Sequence, residues 1–77
     1  MSLVKELNSE NRNIRKHEPA ESTYSVAIID NEKFFQITTY GSEARKCKGD
    51  ASQMLQFNSK SAEELYRLLK KEFGFNT

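Results

Sequence analysis

The stretch FFQITTY, residues 34–40, brings aromatic, amide and hydroxyl side chains together in one predicted strand. Side chains alternate between the two faces of a strand, so Phe34, Gln36, Thr38 and Tyr40 are expected on one face. Aromatic rings offer surfaces on which unpaired bases stack, and uncharged polar groups can meet base edges without a strict sequence requirement. The pattern favours single-stranded nucleic acid binding, although cross-strand packing or a dimer contact would use Phe34 and Tyr40 equally well.

A basic segment follows this strand. Arg45, Lys46 and Lys48 stand against a single acid, Glu43, between positions 43 and 48. Cations at the rim of a stacking surface would neutralise phosphates. Three basic residues in a loop are more often only solvated, so the binding hypothesis depends on their lying beside the aromatic face. The whole chain carries 12 Lys and Arg against 11 Asp and Glu, so its net charge of +1 does not by itself indicate a nucleic-acid ligand.

The sequence contains none of the patterns that indicate catalysis or metal binding. The single cysteine, Cys47, and the single histidine, His17, lie in different kinds of segment. No Ser/His/Asp set, phosphate-binding glycine loop or cluster of metal ligands accompanies them. We therefore expect a protein that is not an enzyme and that uses no cofactor and no metal.

A chain of 77 residues forms one domain and buries only about 60% of the surface that its unfolded form exposes. Neither a disulfide nor a metal can add stability here, so we expect a homodimer. The lone cysteine and the lack of an apolar leader or a long hydrophobic run predict a reducing location without a membrane span. That location would be cytoplasmic or nucleoid-associated, or nuclear in a eukaryote.

Residues 1–22 are mostly polar and are expected to form an arm that is partly disordered, with Leu3 and Leu7 at the spacing of a short helix. The domain proper would then comprise residues 23–77. Residues 24–30, 33–40 and 53–57 are predicted as strands, and the cluster Asp30, Asn31, Glu32 as the turn of a hairpin. A short strand within residues 43–48 would bring the number to four.

The period changes to that of a helix after Asn58. Ser61 and Glu64 have the spacing of a capping box, with Asn58 and Ser59 as alternative caps. The apolar residues that recur at helical spacing are Ala62, Leu65, Leu68, Leu69 and Phe73. Gly74 suits the left-handed position that ends a helix, and Phe75 could contact its last turn.

These elements predict an α+β fold: a four-stranded curved antiparallel sheet followed by one C-terminal helix (ββββα). One helix covers one face of a sheet. The face expected under the helix consists of Val26, Ile28, Phe35, Ile37, Leu55 and Phe57. The uncovered face would consist of Phe34, Gln36, Thr38, Tyr40, Met54 and Gln56.

Residues 24–73 resemble the C-terminal domain of the positive cofactor four family of transcription coactivators and its bacterial and phage relatives. The residues that carry the resemblance are Ser25 and Val26, the motif FFQITTY, the run LQFN leading directly into the helix, and Leu65 and Leu69. The resemblance implies the ββββα fold, a homodimer built through helices and adjoining strands, and single-stranded DNA lying over the sheet without catalysis. It also implies transcription, replication or recombination as the setting, with proteins of those processes as further partners.

The chain departs from the family pattern at three positions. Gly41 stands where the family commonly has a tryptophan, Thr38 where it has a strand arginine, and Gln53 where it has a basic residue. The basic role would then pass to Lys33, Arg45, Lys46 and Lys48. The resulting nucleic-acid-binding prediction comprises Lys33, Phe34, Gln36, Thr38, Tyr40, Arg45, Lys46 and Lys48. Two alternatives use the same sheet face: an adaptor that docks another protein, and a module that binds RNA.

Overall fold

The structure, a computed structural model, describes residues 1–41 and 51–76. The elements are β1 (Ser2–Val4), β2 (Ser22–Ile29), β3 (Glu32–Tyr40), β4 (Ala51–Phe57) and α1 (Ser59–Phe73). The strands form one sheet in the order β1-β4-β3-β2. A four-stranded sheet followed by a C-terminal helix is therefore confirmed.

Strands β2 and β3 form the predicted hairpin. They pair antiparallel along their whole lengths, with Val26 opposite Phe35. Asp30 and Asn31 form the two-residue connection and have positive φ angles of 53° and 64°. A two-residue hairpin turn with positive φ at both positions matches the right-handed twist of the strands, and Asp and Asn tolerate this conformation better than other side chains.

Strand β4 pairs antiparallel with β3 on the other side. Gln56 lies opposite Gln36, and Leu55 lies opposite Ile37. The register shifts by one residue between Thr39 and Tyr40. Thr39 pairs with Gln53 and Tyr40 with Ala51, so β4 has one extra residue at this point. Below that shift the two strands keep a regular alternation, so the side chains of the two strands meet on common faces.

Strand β1 corrects the prediction of a purely antiparallel sheet. Ser2–Val4 pairs parallel with β4, with Leu3 opposite Gln56, so the sheet is mixed. The short helix suggested by the spacing of Leu3 and Leu7 does not form. The edge of β4 offers unpaired backbone groups to the arm, and this long-range pairing leaves no periodic signal in three residues. The short strand predicted within residues 43–48 lies outside the described residues.

Helix α1 begins and ends with side chains suited to those positions. Asn58 is the N-cap: its Oδ1 accepts a hydrogen bond from the Ser61 backbone N–H at 2.9 Å, and Ser61 Oγ accepts one from the Asn58 N–H at 3.0 Å. The cap is therefore the upstream alternative, three residues before the serine of the predicted Ser61–Glu64 box. At the other end Gly74, at φ 71°, donates to the Lys70 carbonyl at 3.0 Å.

The core of the single chain is small. Phe57, 4% exposed, is the only buried apolar side chain among the described residues, and Ser61, in the first turn of α1, is fully buried. The helix packs against β3 and β4. Over residues 1–41 and 51–76, no helix has the length and apolar character needed to cross a membrane.

Candidate nucleic-acid interface

One side of the sheet, here called the polar face, carries most of the neutral polar side chains. Strand register places on it residues from all four strands. They are Leu3, Thr23, Ser25, Ala27, Ile29, Glu32, Phe34, Gln36, Thr38, Tyr40, Met54 and Gln56. The structure therefore brings together four of the predicted site residues, Phe34, Gln36, Thr38 and Tyr40, in one row along β3.

A chain of side-chain hydrogen bonds crosses the middle of the polar face. Gln56 Nε2 donates to Gln36 Oε1 at 2.9 Å, and Gln36 Nε2 donates to Thr38 Oγ1 at 3.0 Å. Thr38 is only 7% exposed, whereas both glutamines are half-buried. The buried threonine therefore orients the amides, and the amides are the groups that remain accessible to a ligand.

The two predicted stacking residues flank this chain. Phe34 lies toward the hairpin end of β3 and Tyr40 at the other end, and both are half-buried. The Tyr40 backbone N–H donates to the Glu21 carbonyl at 2.9 Å, which holds the end of β3 against the segment before β2. Partial burial fixes the position of each ring and leaves part of its surface exposed.

The predicted basic residues do not join the polar face within the described structure. Alternation along β3 directs Lys33 to the opposite face, where it lines a cavity of about 160 Å³ with Phe35, Phe57 and the start of α1. Arg45, Lys46 and Lys48 lie outside the described residues. The aromatic and amide part of the predicted site is thus assembled, and the placement of its cationic rim stays a prediction.

The arm contributes to the site in a way that the sequence reasoning missed. Pairing of β1 with β4 places Leu3 beside Gln56, and a cavity of about 210 Å³ lies between them. Its lining residues are Met1, Ser2, Leu3, Gln36, Met54 and Gln56. The sequence predicted Met54 and Gln56 on this face from the alternation of β4, but no sequence signal places Leu3 there.

The other side of the sheet is here called the apolar face, and its large apolar side chains are Tyr24, Val26, Ile28, Phe35, Ile37, Leu55 and Phe57. Its membership agrees with the prediction, with Tyr24 added. The rings of Tyr24 and Phe35 stack with centroids 5.5 Å apart and planes 12° apart.

The helix does not cover the apolar face as expected: Val26 is 53% exposed and Ile28 69% exposed. The reason is position, because α1 starts at the end of β4 and reaches β3, whereas β2 lies one strand farther out.

The outer half of the helix is equally bare. Leu68 and Leu69 are partly exposed, and Phe73 is 69% exposed although Phe75 stacks on it at 5.7 Å. An amphipathic helix normally buries its apolar stripe. The described part of the chain offers nothing that covers this stripe.

Ionisable side chains form neither a metal-binding cluster nor a buried ion pair among the described residues. No three His, Cys, Asp or Glu side chains within residues 1–41 and 51–76 lie close enough together to hold a metal ion. The ion pairs that occur there, Arg12 with Glu10 and Arg67 with Glu63, are exposed and local. Such pairs contribute little to stability or to a binding site.

Comparisons of the chain with protein-family models, curated proteins and solved structures give no significant match. The resemblance to the positive cofactor four family therefore stays a prediction, carried by the order and spacing of the elements.

Proposed function

We propose that this protein is a non-enzymatic homodimer that binds single-stranded DNA with little sequence preference across the polar face. The observation that carries the proposal is the row along β3, in which Gln36, hydrogen-bonded to Thr38 and to Gln56 of β4, lies between two half-buried aromatic residues. Unpaired bases have both flat surfaces and polar edges, and this row offers partners for both. A role in transcription, replication or recombination is part of the proposal through the family resemblance alone.

The hydrogen-bonded amides favour bases over a charged partner at the centre of the polar face. The side chains of Gln36, Thr38 and Gln56 carry no charge, so they offer phosphate only weak neutral contacts. Phosphates would instead pair with the basic residues Arg45, Lys46 and Lys48 at the rim. In this arrangement the aromatic rings and amides hold the bases, and the loop provides the salt-dependent part of the affinity.

The dimer is supported by the apolar face and the outer half of α1. Both expose several large apolar side chains that a folded chain normally buries, and groups of such exposed side chains are typical of an interface. A second copy of the chain satisfies this need symmetrically, because each protomer presents the same helix stripe and the same bare strand β2. The polar faces of both protomers would remain available for DNA.

The test is binding of a fluorescent oligothymidine, followed by anisotropy. Substituting Phe34→Leu or Tyr40→Leu keeps apolar volume and removes the flat ring, so each should weaken binding by about 1 kcal/mol or more, about fivefold. Gln53→Leu is the matched control, since Gln53 lies on β4 and belongs to the opposite side of the sheet. Unchanged affinity in both aromatic variants, with the fold intact by circular dichroism, would remove stacking from the proposal.

Salt dependence tests the loop separately. Each phosphate contact on a single strand contributes about 0.7 to the slope of log affinity against log salt concentration. Replacing Lys46 and Lys48 with alanine should therefore flatten that slope. An identical slope would exclude these two lysines from the site while leaving the sheet in place.

A second candidate function is protein docking, and the exposed apolar face is the observation that favours it. An adaptor would use the Tyr24–Phe35 stack and the neighbouring exposed aliphatic side chains to bind a polymerase or another protein. Light scattering of the purified protein separates the candidates. A stable dimer assigns this face to a second copy, whereas a monomer that binds no oligonucleotide favours the adaptor.

A further inference from the structure

The cavity on the polar face beside β1 is lined by side chains of different chemistry. Met1, Leu3 and Met54 provide apolar surface, and Gln36 and Gln56 provide amides. All the lining side chains are uncharged. A ligand with a flat apolar surface and a polar edge matches these side chains.

The hydrogen-bonding capacity of the two glutamines is only partly used. A side-chain amide has two N–H donors and one carbonyl acceptor. Gln36 uses its carbonyl and one donor, and Gln56 uses one donor. Within the described residues, Gln56 therefore keeps one donor and its carbonyl Oε1 available, and Gln36 keeps one donor.

The orientation of these remaining groups is fixed before any ligand binds. Gln56 is held by Gln36, Gln36 is held by Thr38, and Thr38 is almost fully buried. Fixed donors and acceptors bind more tightly than mobile ones because less side-chain freedom is lost. The edge of a pyrimidine or a purine presents donors and acceptors next to one another, which an amide can match.

From these features we infer that the cavity is a pocket for one unpaired nucleobase, with the N-terminal strand β1 as one of its walls. This inference rests on the proposed function, and it assigns one base of the bound strand to a defined place. The base lies against Met54 and Leu3, and its edge hydrogen-bonds to Gln56. The arm is then part of the DNA site through β1.

The test uses the methionine methyl group as a reporter. The chain has two methionines, Met1 and Met54, and both line the cavity. Protein labelled with ¹³C at the methionine methyl groups is titrated with a short oligothymidine and with an abasic strand of the same length. Ring currents of an inserted base should shift the Met54 methyl signal with oligothymidine and leave it unshifted with the abasic strand.

Two variants make the result specific to the pocket. Gln56→Leu removes the amide and should weaken oligothymidine binding about fivefold and reduce the Met54 shift. Gln53→Leu, on the same strand and the opposite side, should change neither. Leu3→Ala opens the wall formed by β1 and should reduce the shift, with affinity falling less than in Gln56→Leu.

The outcomes separate the pocket from the proposed function. Oligothymidine binding without a shift of the Met54 methyl, or with the same shift in Gln56→Leu as in the unsubstituted protein, overturns the pocket and leaves DNA binding standing. No binding of oligothymidine by the unsubstituted protein overturns both. A shift of equal size with the abasic strand shows that the base is not the group recognised and also overturns the pocket.

Discussion

The polar face and the apolar face of the same sheet differ in how far the single chain completes them. On the polar face the central threonine is buried and the amides are hydrogen-bonded to one another. On the apolar face only Phe57 is buried, and large side chains on β2 and α1 stay exposed. The side chains of the polar face are therefore more fully buried and hydrogen-bonded within the single chain than those of the apolar face are packed. The proposed function accounts for this difference by assigning the apolar face to a second copy of the chain and the polar face to single-stranded DNA.

The largest expected effect comes from placing a charge on the apolar stripe of α1. Leu69→Asp puts a carboxylate where the proposed dimer contact buries a leucine, and should destabilise each protomer by about 2–5 kcal/mol. For the unsubstituted protein, the melting temperature should rise with protein concentration, because dissociation accompanies unfolding. Light scattering and thermal melts at several concentrations measure both effects.

Lys71→Ala is the control for this variant, since it changes the net charge by the same single unit on the polar side of the helix. It should keep the dimer. If Leu69→Asp also remained a dimer of unchanged stability, the contrast between the two faces would have to be explained without a second copy of the chain.

An intermediate effect is expected from the amide chain on the polar face. Gln36→Leu leaves the Gln56 donor and the buried Thr38 hydroxyl without their partner, and should cost about 1–3 kcal/mol of unfolding free energy. Gln53→Leu removes an exposed amide from the same sheet and should change stability by no more than about 0.5 kcal/mol. Urea unfolding measures both values, and equal costs would mean that the polar face is not organised by these hydrogen bonds.

The smallest effect tests the end of the helix that carries the bare apolar stripe. Gly74 has φ 71°, and an added Cβ would meet no atom within 4 Å. Gly74→Ala should therefore cost only the backbone strain of the left-handed conformation, about 1 kcal/mol. Gly74→Asn should cost less, since Asn tolerates this conformation. A larger loss in urea unfolding, shared by both variants, would show that Gly74 lies inside the proposed dimer contact.

Much of the architecture could be read from local patterns. The alternation of β3 and β4 predicted the membership of both faces, and the Asp30–Asn31 turn predicted the hairpin. The helical period and Gly74 predicted the extent of α1. These features can be predicted from sequence because strand alternation, turn conformation and capping each depend on residues close together in the chain.

Two of the missed features depend on contacts between residues that are far apart in the sequence. Ser2–Val4 becomes a strand only because the edge of β4 is there to pair with it. Alternation along β3 was enough to predict which face Lys33 lies on. Its proximity to the start of α1 could not be predicted, because it depends on where the helix packs. The choice among the predicted caps is local: Asn58 is the cap because it forms reciprocal hydrogen bonds with Ser61, three residues later.

The sequence by itself determined which side chains share a face, where the hairpin turns and where the helix ends, because the geometry of the backbone over a few residues dictates them. The tertiary structure alone decided that the N-terminal segment completes the sheet in parallel, that Thr38 is buried while the amides stay accessible, and that one helix leaves β2 bare. Those outcomes depend on which surfaces pack against each other, and the periodicity of the sequence does not determine which surfaces do so.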